Sequence, residues 1–216
     1  MNALRRRLAA CLVALPVMLV ASVAAASDLV EGKDWKPVEG TQMSADGNQI
    51  TVLEFFSYGC PHCADLNPLI EDWVKELPDD VEFQRVPVTF GRAAWENLAR
   101  LYFTLEFSGD LERLDQAVFD AVTKDRTNLY TERSVLEWVS AQGVDEAKFS
   151  ELFNSFAVEA ALARASTLAA RFRVSAVPRI VVDERFEVVG EGVTDKKELL
   201  EIADALIDKA RQSGAD

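Results

Sequence analysis

Residues 50–63 constrain the fold more than any other stretch of the chain. Ile50-Thr51-Val52-Leu53-Glu54-Phe55-Phe56 is a short run of β-branched and aromatic residues, the pattern of a buried strand. Ser57-Tyr58-Gly59 breaks the run, and Cys60 opens a segment where Leu66, Leu69, Ile70, Trp73, Val74 and Leu77 recur at helical spacing. Pro61 stands in the first helical turn, where a missing N–H is no loss, and Pro78 is expected to end the helix. Val81–Val88 is the next strand. The simplest way to join two such strands through a helix is a right-handed crossover that leaves them parallel.

The character changes after that unit. Residues 92–171 contain apolar helical patterns and no convincing strand: Ala94, Leu98, Leu101, Tyr102 and Leu105 mark one helix, and Leu111, Leu114, Val118, Phe119 and Val122 a second. A third is expected over about 134–141, and a long one over about 145–171, bending midway. Strand patterns return at Pro178–Val182 and Arg185–Val189, close enough for a hairpin, although Asp183-Glu184 lacks the glycine of an easy tight turn. A final amphipathic helix is expected over about 195–211. At 216 residues the chain is long for one minimal domain and short for two full-sized ones. The expected organisation is therefore an α/β layer from 27–91 and 172–216, with a helical subdomain inserted at 92–171.

The first 26 residues read as a targeting segment. Arg5, Arg6 and Arg7 precede an uncharged apolar run, and Ala24-Ala25-Ala26 supplies the small residues of a cleavage site, so export and a mature start at Ser27 are expected. An uncleaved membrane anchor is the alternative. Without that segment the chain carries 20 Lys+Arg against 36 Asp+Glu, a net of −16. Such a surface is repelled by nucleic acid and by anionic membranes.

Of the 3 cysteines, Cys11 lies in the targeting segment, which leaves Cys60 and Cys63. One closely spaced pair cannot staple an exported scaffold, because the loop it closes is tiny and the entropic gain grows with loop length. A zinc site normally requires four N or S ligands, and the mature chain offers two Cys and one adjacent His. No cofactor or metal is expected. A redox pair fits better. A sulfur at the start of a helix faces unpaired N–H groups and the positive end of the helix dipole, which lowers the pKa of Cys60. Cys63, one turn inward, keeps its proton. His62, the only His in the chain, lies between the two and favours the Cys60 thiolate when protonated. A stabilised thiolate stabilises the reduced form and makes the disulfide oxidising.

Glu54 places a charge inside an apolar strand. Either it pairs with Arg85 of the next strand and serves the proton of Cys63, or it faces solvent at a sheet edge.

The segment Glu54-Phe55-Phe56-Ser57-Tyr58-Gly59-Cys60-Pro61-His62-Cys63 closely resembles the DsbA family, thioredoxin-fold proteins of the bacterial periplasm that introduce disulfides. Val177-Pro178 resembles the place where that family sets a cis proline facing the redox pair. The resemblance extends over nearly the whole mature chain. It implies an α/β thioredoxin fold with an inserted helical subdomain, and a periplasmic oxidase acting through Cys60, Cys63, His62 and Glu54. It also implies substrate contacts at Val177 and Pro178, with the peptide added as a strand. Implied partners are unfolded exported proteins with free thiols and a DsbB-type quinone-linked membrane oxidase; a monomer is the default. Three positions depart from the family pattern: Asn67 where an acid is usual, Arg179 after the proline, and the hairpin turn. An isomerase or reductase remains the alternative within the class, and a peptide- or metal-binding protein without redox activity the alternative outside it.

Overall fold

The structure is a computed structural model that describes residues 29–39 and 49–213. The targeting segment and Cys11 lie outside those residues. Strand β2 (Ile50–Phe56) occupies the interior of a five-stranded sheet, between β3 (Val81–Pro87), which runs parallel to it, and β4 (Arg179–Val182), which runs antiparallel. Antiparallel β5 (Phe186–Val188) and β1 (Trp35–Pro37) complete the order β1-β5-β4-β2-β3.

Helices cover both faces of this sheet, so β2 reads as an almost unbroken apolar run instead of an alternating one. Alternate residues still serve opposite faces. Val52 joins Ile180 and Val182 in a core with Leu66 and Ile70 of α1 (Pro61–Val74) and Leu206 of α7 (Lys197–Ser213). Leu53 and Phe55 join Val181 in the opposite core with the helices between β3 and β4. Those helices are α2 (Ala93–Ser108), α3 (Leu111–Thr123), α4 (Glu132–Ala141), α5 (Glu146–Phe153) and α6 (Phe156–Arg171).

Several element ends differ from those the sequence pattern predicts. The long helix expected over 145–171 is two helices, α5 and α6. Ser155 restarts the second by accepting the Val158 N–H at 3.3 Å, and Asp145 caps the first by accepting the Lys148 N–H at 3.1 Å. Helix α4 starts two residues early because Ser134 is part of its cap: Thr131 and Ser134 form a reciprocal capping box. Helix α1 closes at Val74, before Pro78 is reached, and α7 opens at Lys197, whose N–H is held by Asp195. Strand β1 is unexpected, since three residues containing a Lys and a Pro show no period. The hairpin forms without glycine: Asp183 and Glu184 adopt φ of 52° and 54°, and the Arg185 N–H returns to the Val182 carbonyl at 3.1 Å.

Candidate active site

Cys60 is the N-cap of α1, with its backbone extended (φ −105°, ψ 113°) and Pro61 as the first helical residue. The preceding turn is tight, with the Cys60 N–H on the Ser57 carbonyl at 3.0 Å. That geometry turns the Cys60 sulfur back over the open end of the helix, where it accepts the Cys63 N–H at 3.3 Å. Its thiol lies 3.4 Å from the Val177 carbonyl, and the Val177–Pro178 peptide is cis. Residues 117 positions apart in sequence thus meet at the sulfur. Both thiols are free; Cys60 is 6% exposed and Cys63 is fully buried.

The two sulfurs differ in acidity for identifiable reasons. A hydrogen bond from the Cys63 thiol lowers the Cys60 pKa most. Burial opposes it, and the backbone N–H groups of Cys63 and His62 and the His62 charge add smaller contributions. Cys60 falls from 9.0 to about 6. Burial pushes Cys63 well above the ordinary range, reinforced by its hydrogen bond to Cys60 and by the Cys60 charge. His62 is exposed, so its part is minor beside that of the neighbouring thiol.

Glu54 is fully buried, which excludes the sheet-edge alternative. It stands in register with Arg85 across the parallel pair β2–β3, and Arg85 Nε donates to Glu54 Oε2 at 2.7 Å. Burial raises the Glu54 pKa despite the guanidinium beside it. A negative charge on Glu54 would raise the Cys63 pKa further, as the smallest of its causes, so the two groups lie within electrostatic reach of each other. Arg85 also reaches Asp115 of α3, with Nη1 at 2.7 Å from Oδ2, and the buried Tyr58 hydroxyl donates to Asp115 Oδ1. The guanidinium lies 4.1 Å over the Phe56 ring. Tyr58 and Asp115 escaped the sequence reading. One signal was available: Asp115 is an acid set between Leu111, Leu114, Val118 and Phe119, on the apolar stripe of its helix.

The departures from the family pattern find structural explanations. Asn67 is buried and donates to Glu71 at 2.9 Å and Gln116 at 3.1 Å, so it brings no charge toward Arg85. Arg179 is tied inward, donating to the Phe172 carbonyl at 2.6 Å and pairing with Glu187. Gly59 stands at a close approach: a Cβ there would lie 3.0 Å from Trp95 Nε1, so the indole would have to shift by a few tenths of an ångström to admit it. Beside Pro178, a cleft of about 600 Å³ mixes Phe172 and Val188 with Lys36, Arg173 and Arg179. A smaller cleft of about 230 Å³ runs between Pro87–Gly91 and Ser166–Val174. Among the described residues, no three His, Cys, Asp or Glu side chains converge as a metal site requires.

An acidic thiol capping a helix, a buried partner one turn inward and a proline loop across from them define a thiol–disulfide oxidoreductase of the thioredoxin fold. Comparison with known proteins narrows the class. Residues 51–201 match the sequence model of the DSBA-like thioredoxin domain. The chain is 36% identical over 192 residues to the thiol:disulfide interchange protein DsbA of Pseudomonas syringae pv. tomato, covering 88% of each. It is 34% identical over 193 residues to that of Pseudomonas aeruginosa, covering 89% of this chain and 91% of the relative. The crystal structure of Pseudomonas aeruginosa DsbA superposes with a TM-score of 0.80 at 33% identity, covering 88% of this chain and 98% of that one. The corresponding values for the oxidoreductase DsbA from Xylella fastidiosa are 0.75, 28%, 85% and 98%. The chain belongs to the DsbA family.

Proposed function

We propose that this oxidoreductase works as an oxidant, introducing disulfides into exported proteins in the periplasm through Cys60 and Cys63. The observation that carries the direction is the unequal pair of thiols. Holding Cys60 as a thiolate near neutral pH stabilises the reduced enzyme, and a stable reduced form makes its disulfide a strong oxidant.

In this reading a substrate thiolate attacks the Cys60 sulfur of the enzyme disulfide. The Cys60–Cys63 bond breaks, Cys60 becomes bonded to the substrate sulfur, and Cys63 leaves with the electron pair. The buried Cys63 thiolate takes up a proton, for which Glu54 is the donor. A second substrate thiolate then attacks the substrate sulfur of the mixed disulfide and Cys60 leaves as a stabilised thiolate. Two electrons have passed from substrate to enzyme. Their removal calls for a DsbB-type quinone-linked membrane partner. Val177 and Pro178 border the sulfur and form the substrate-facing backbone, where an unfolded chain pairs as an added strand. His62 adds a small electrostatic contribution to the thiolate.

The same proposal takes residues 1–26 as a cleaved signal peptide and divides the remainder into a thioredoxin-like layer, 27–91 and 172–216, and a helical subdomain, 92–171. The reduction potential of the purified protein, equilibrated in graded glutathione buffers with thiol trapping, tests the direction. A potential well above the glutathione couple is expected; one near that of thioredoxin would make the protein a reductase. Cys60→Ser is expected to abolish thiol oxidation.

A further inference from the structure

Beneath the redox pair, one buried cation serves two buried carboxylates. Arg85 divides its donors between Glu54 on β2 and Asp115 on α3, each at 2.7 Å, and the three side chains are almost closed to solvent. Two ionised carboxylates around one guanidinium would leave a net buried charge, which is costly. The less costly arrangement is one carboxylate and one carboxylic acid. Hydrogen bonds decide which is which, because each donor aimed at a carboxyl favours its charged form. Asp115 has two donors, Tyr58 and Arg85, one on each oxygen. Glu54 has Arg85 on Oε2, and its Oε1 has no partner among the described residues. The charge belongs on Asp115 and the proton on Glu54.

We infer that Asp115 is a positioning residue of the redox reaction: by claiming half of the Arg85 guanidinium it keeps on Glu54 the proton that Cys63 takes when the disulfide opens. The inference rests on the relay role proposed for Glu54. It also gives the helical segment between β3 and β4 a part in the chemistry, since Asp115 is its contribution to the site. Asn67, on the face of α1 that meets α3, supplies no charge; its amide is bonded to Glu71 and Gln116. The groups that act on Glu54 or on its partners come from every side. They are Arg85 on β3, Asp115 on α3, Cys63 and Glu71 on α1, Tyr58 after β2 and Tyr102 on α2.

The test follows the protonated carboxyl of Glu54 by infrared difference spectroscopy over a pH series, beside the rate at which the oxidised enzyme forms a mixed disulfide with a thiol peptide. Glu54→Gln identifies the band by deleting it and is expected to slow mixed-disulfide formation. Asp115→Asn removes the competing charge while conserving shape, and Asp115→Ser does so in a smaller side chain should the amide disturb folding. In either variant the second negative charge is gone, and the Arg85 cation is balanced by Glu54 alone. The Glu54 midpoint is expected to fall by about one pH unit or more, and the pH profile of the rate to move with it. The Cys60 thiolate midpoint stays in place, which separates a charge effect from a general loosening of the site. A Glu54 midpoint unmoved in folded Asp115 variants, with Glu54→Gln still slow, would overturn the inference and spare the relay. Wild-type rates in Glu54→Gln at every pH would overturn the relay, and the inference with it.

Discussion

In a Cys63→Ala variant the Cys60 sulfur keeps the backbone N–H groups of residues 62 and 63 but loses the thiol that donates to it. That thiol is the largest single cause of the fall from 9.0 to about 6. The whole fall of three units corresponds to about 4 kcal/mol of preference for the thiolate. A hydrogen bond to a charged group contributes a net of about 1.5–3 kcal/mol, or roughly one to two pH units. The midpoint in Cys63→Ala is therefore expected between about 7 and 8. The stability of the reduced protein follows from the same figures. Because the folded pKa is the lower one, the contribution grows as pH rises toward the ordinary thiol value and vanishes as pH falls through 6. At pH 7 it is about 1.4 kcal/mol, which in a two-electron couple is about 30 mV toward oxidising power. Above about pH 9 the elevated Cys63 thiol acts in the opposite sense, so the comparison belongs below that. Ultraviolet absorbance of the thiolate and the pH dependence of alkylation give the midpoints, and urea unfolding of the reduced protein gives the linkage. A Cys63→Ala midpoint equal to that of the wild type would refute the account, as would a reduced-state stability that is flat between about pH 5 and 8.

Three further substitutions probe the site and its support. Arg85→Met strands Glu54 and Asp115 without a cation and should cost about 3–5 kcal/mol in urea unfolding. The loss should grow as pH rises, because burial disfavours the ionised carboxyls; a pH-independent loss would contradict that cause. Gly59→Ala drives a Cβ to 3.0 Å from Trp95 Nε1. The clash is expected to cost about 1–3 kcal/mol and to shift tryptophan emission, and an unchanged spectrum with wild-type stability would show that the indole yields freely. Thr131→Ala removes one half of the α4 capping box and should cost about 1 kcal/mol without altering the Cys60 midpoint. A moved midpoint would mean that α4 communicates with the site.

What could be read in advance was what local chemistry dictates. The run from Ile50 to Phe56 must bury both faces, Cys60 precedes a helical apolar pattern whose first turn accepts Pro61 without losing a hydrogen bond, and the acid of Glu54 must find a partner if it enters the core. From these came the strand–helix–strand unit, the position of the acidic thiol and the Glu54–Arg85 pair. Element ends were less legible where a capping side chain sets them: Ser134 and Ser155 look alike in sequence, yet one lies inside its helix as a cap partner and the other restarts a helix. Strand β1 could not be read at all, because three residues on a sheet edge have no period and owe their conformation to β5. The tertiary structure completes the site, and of its remaining long-range contacts only the Val177–Pro178 loop was expected, from the family resemblance and not from local pattern. It brings Val177 to the Cys60 sulfur across 117 positions and turns Asp115 from a misplaced acid on an apolar stripe into the second claimant on Arg85. Each of those contacts joins segments whose separation along the chain carries no local signal, so the Glu54–Arg85–Asp115 network is assembled by packing and not by the motif that carries the cysteines.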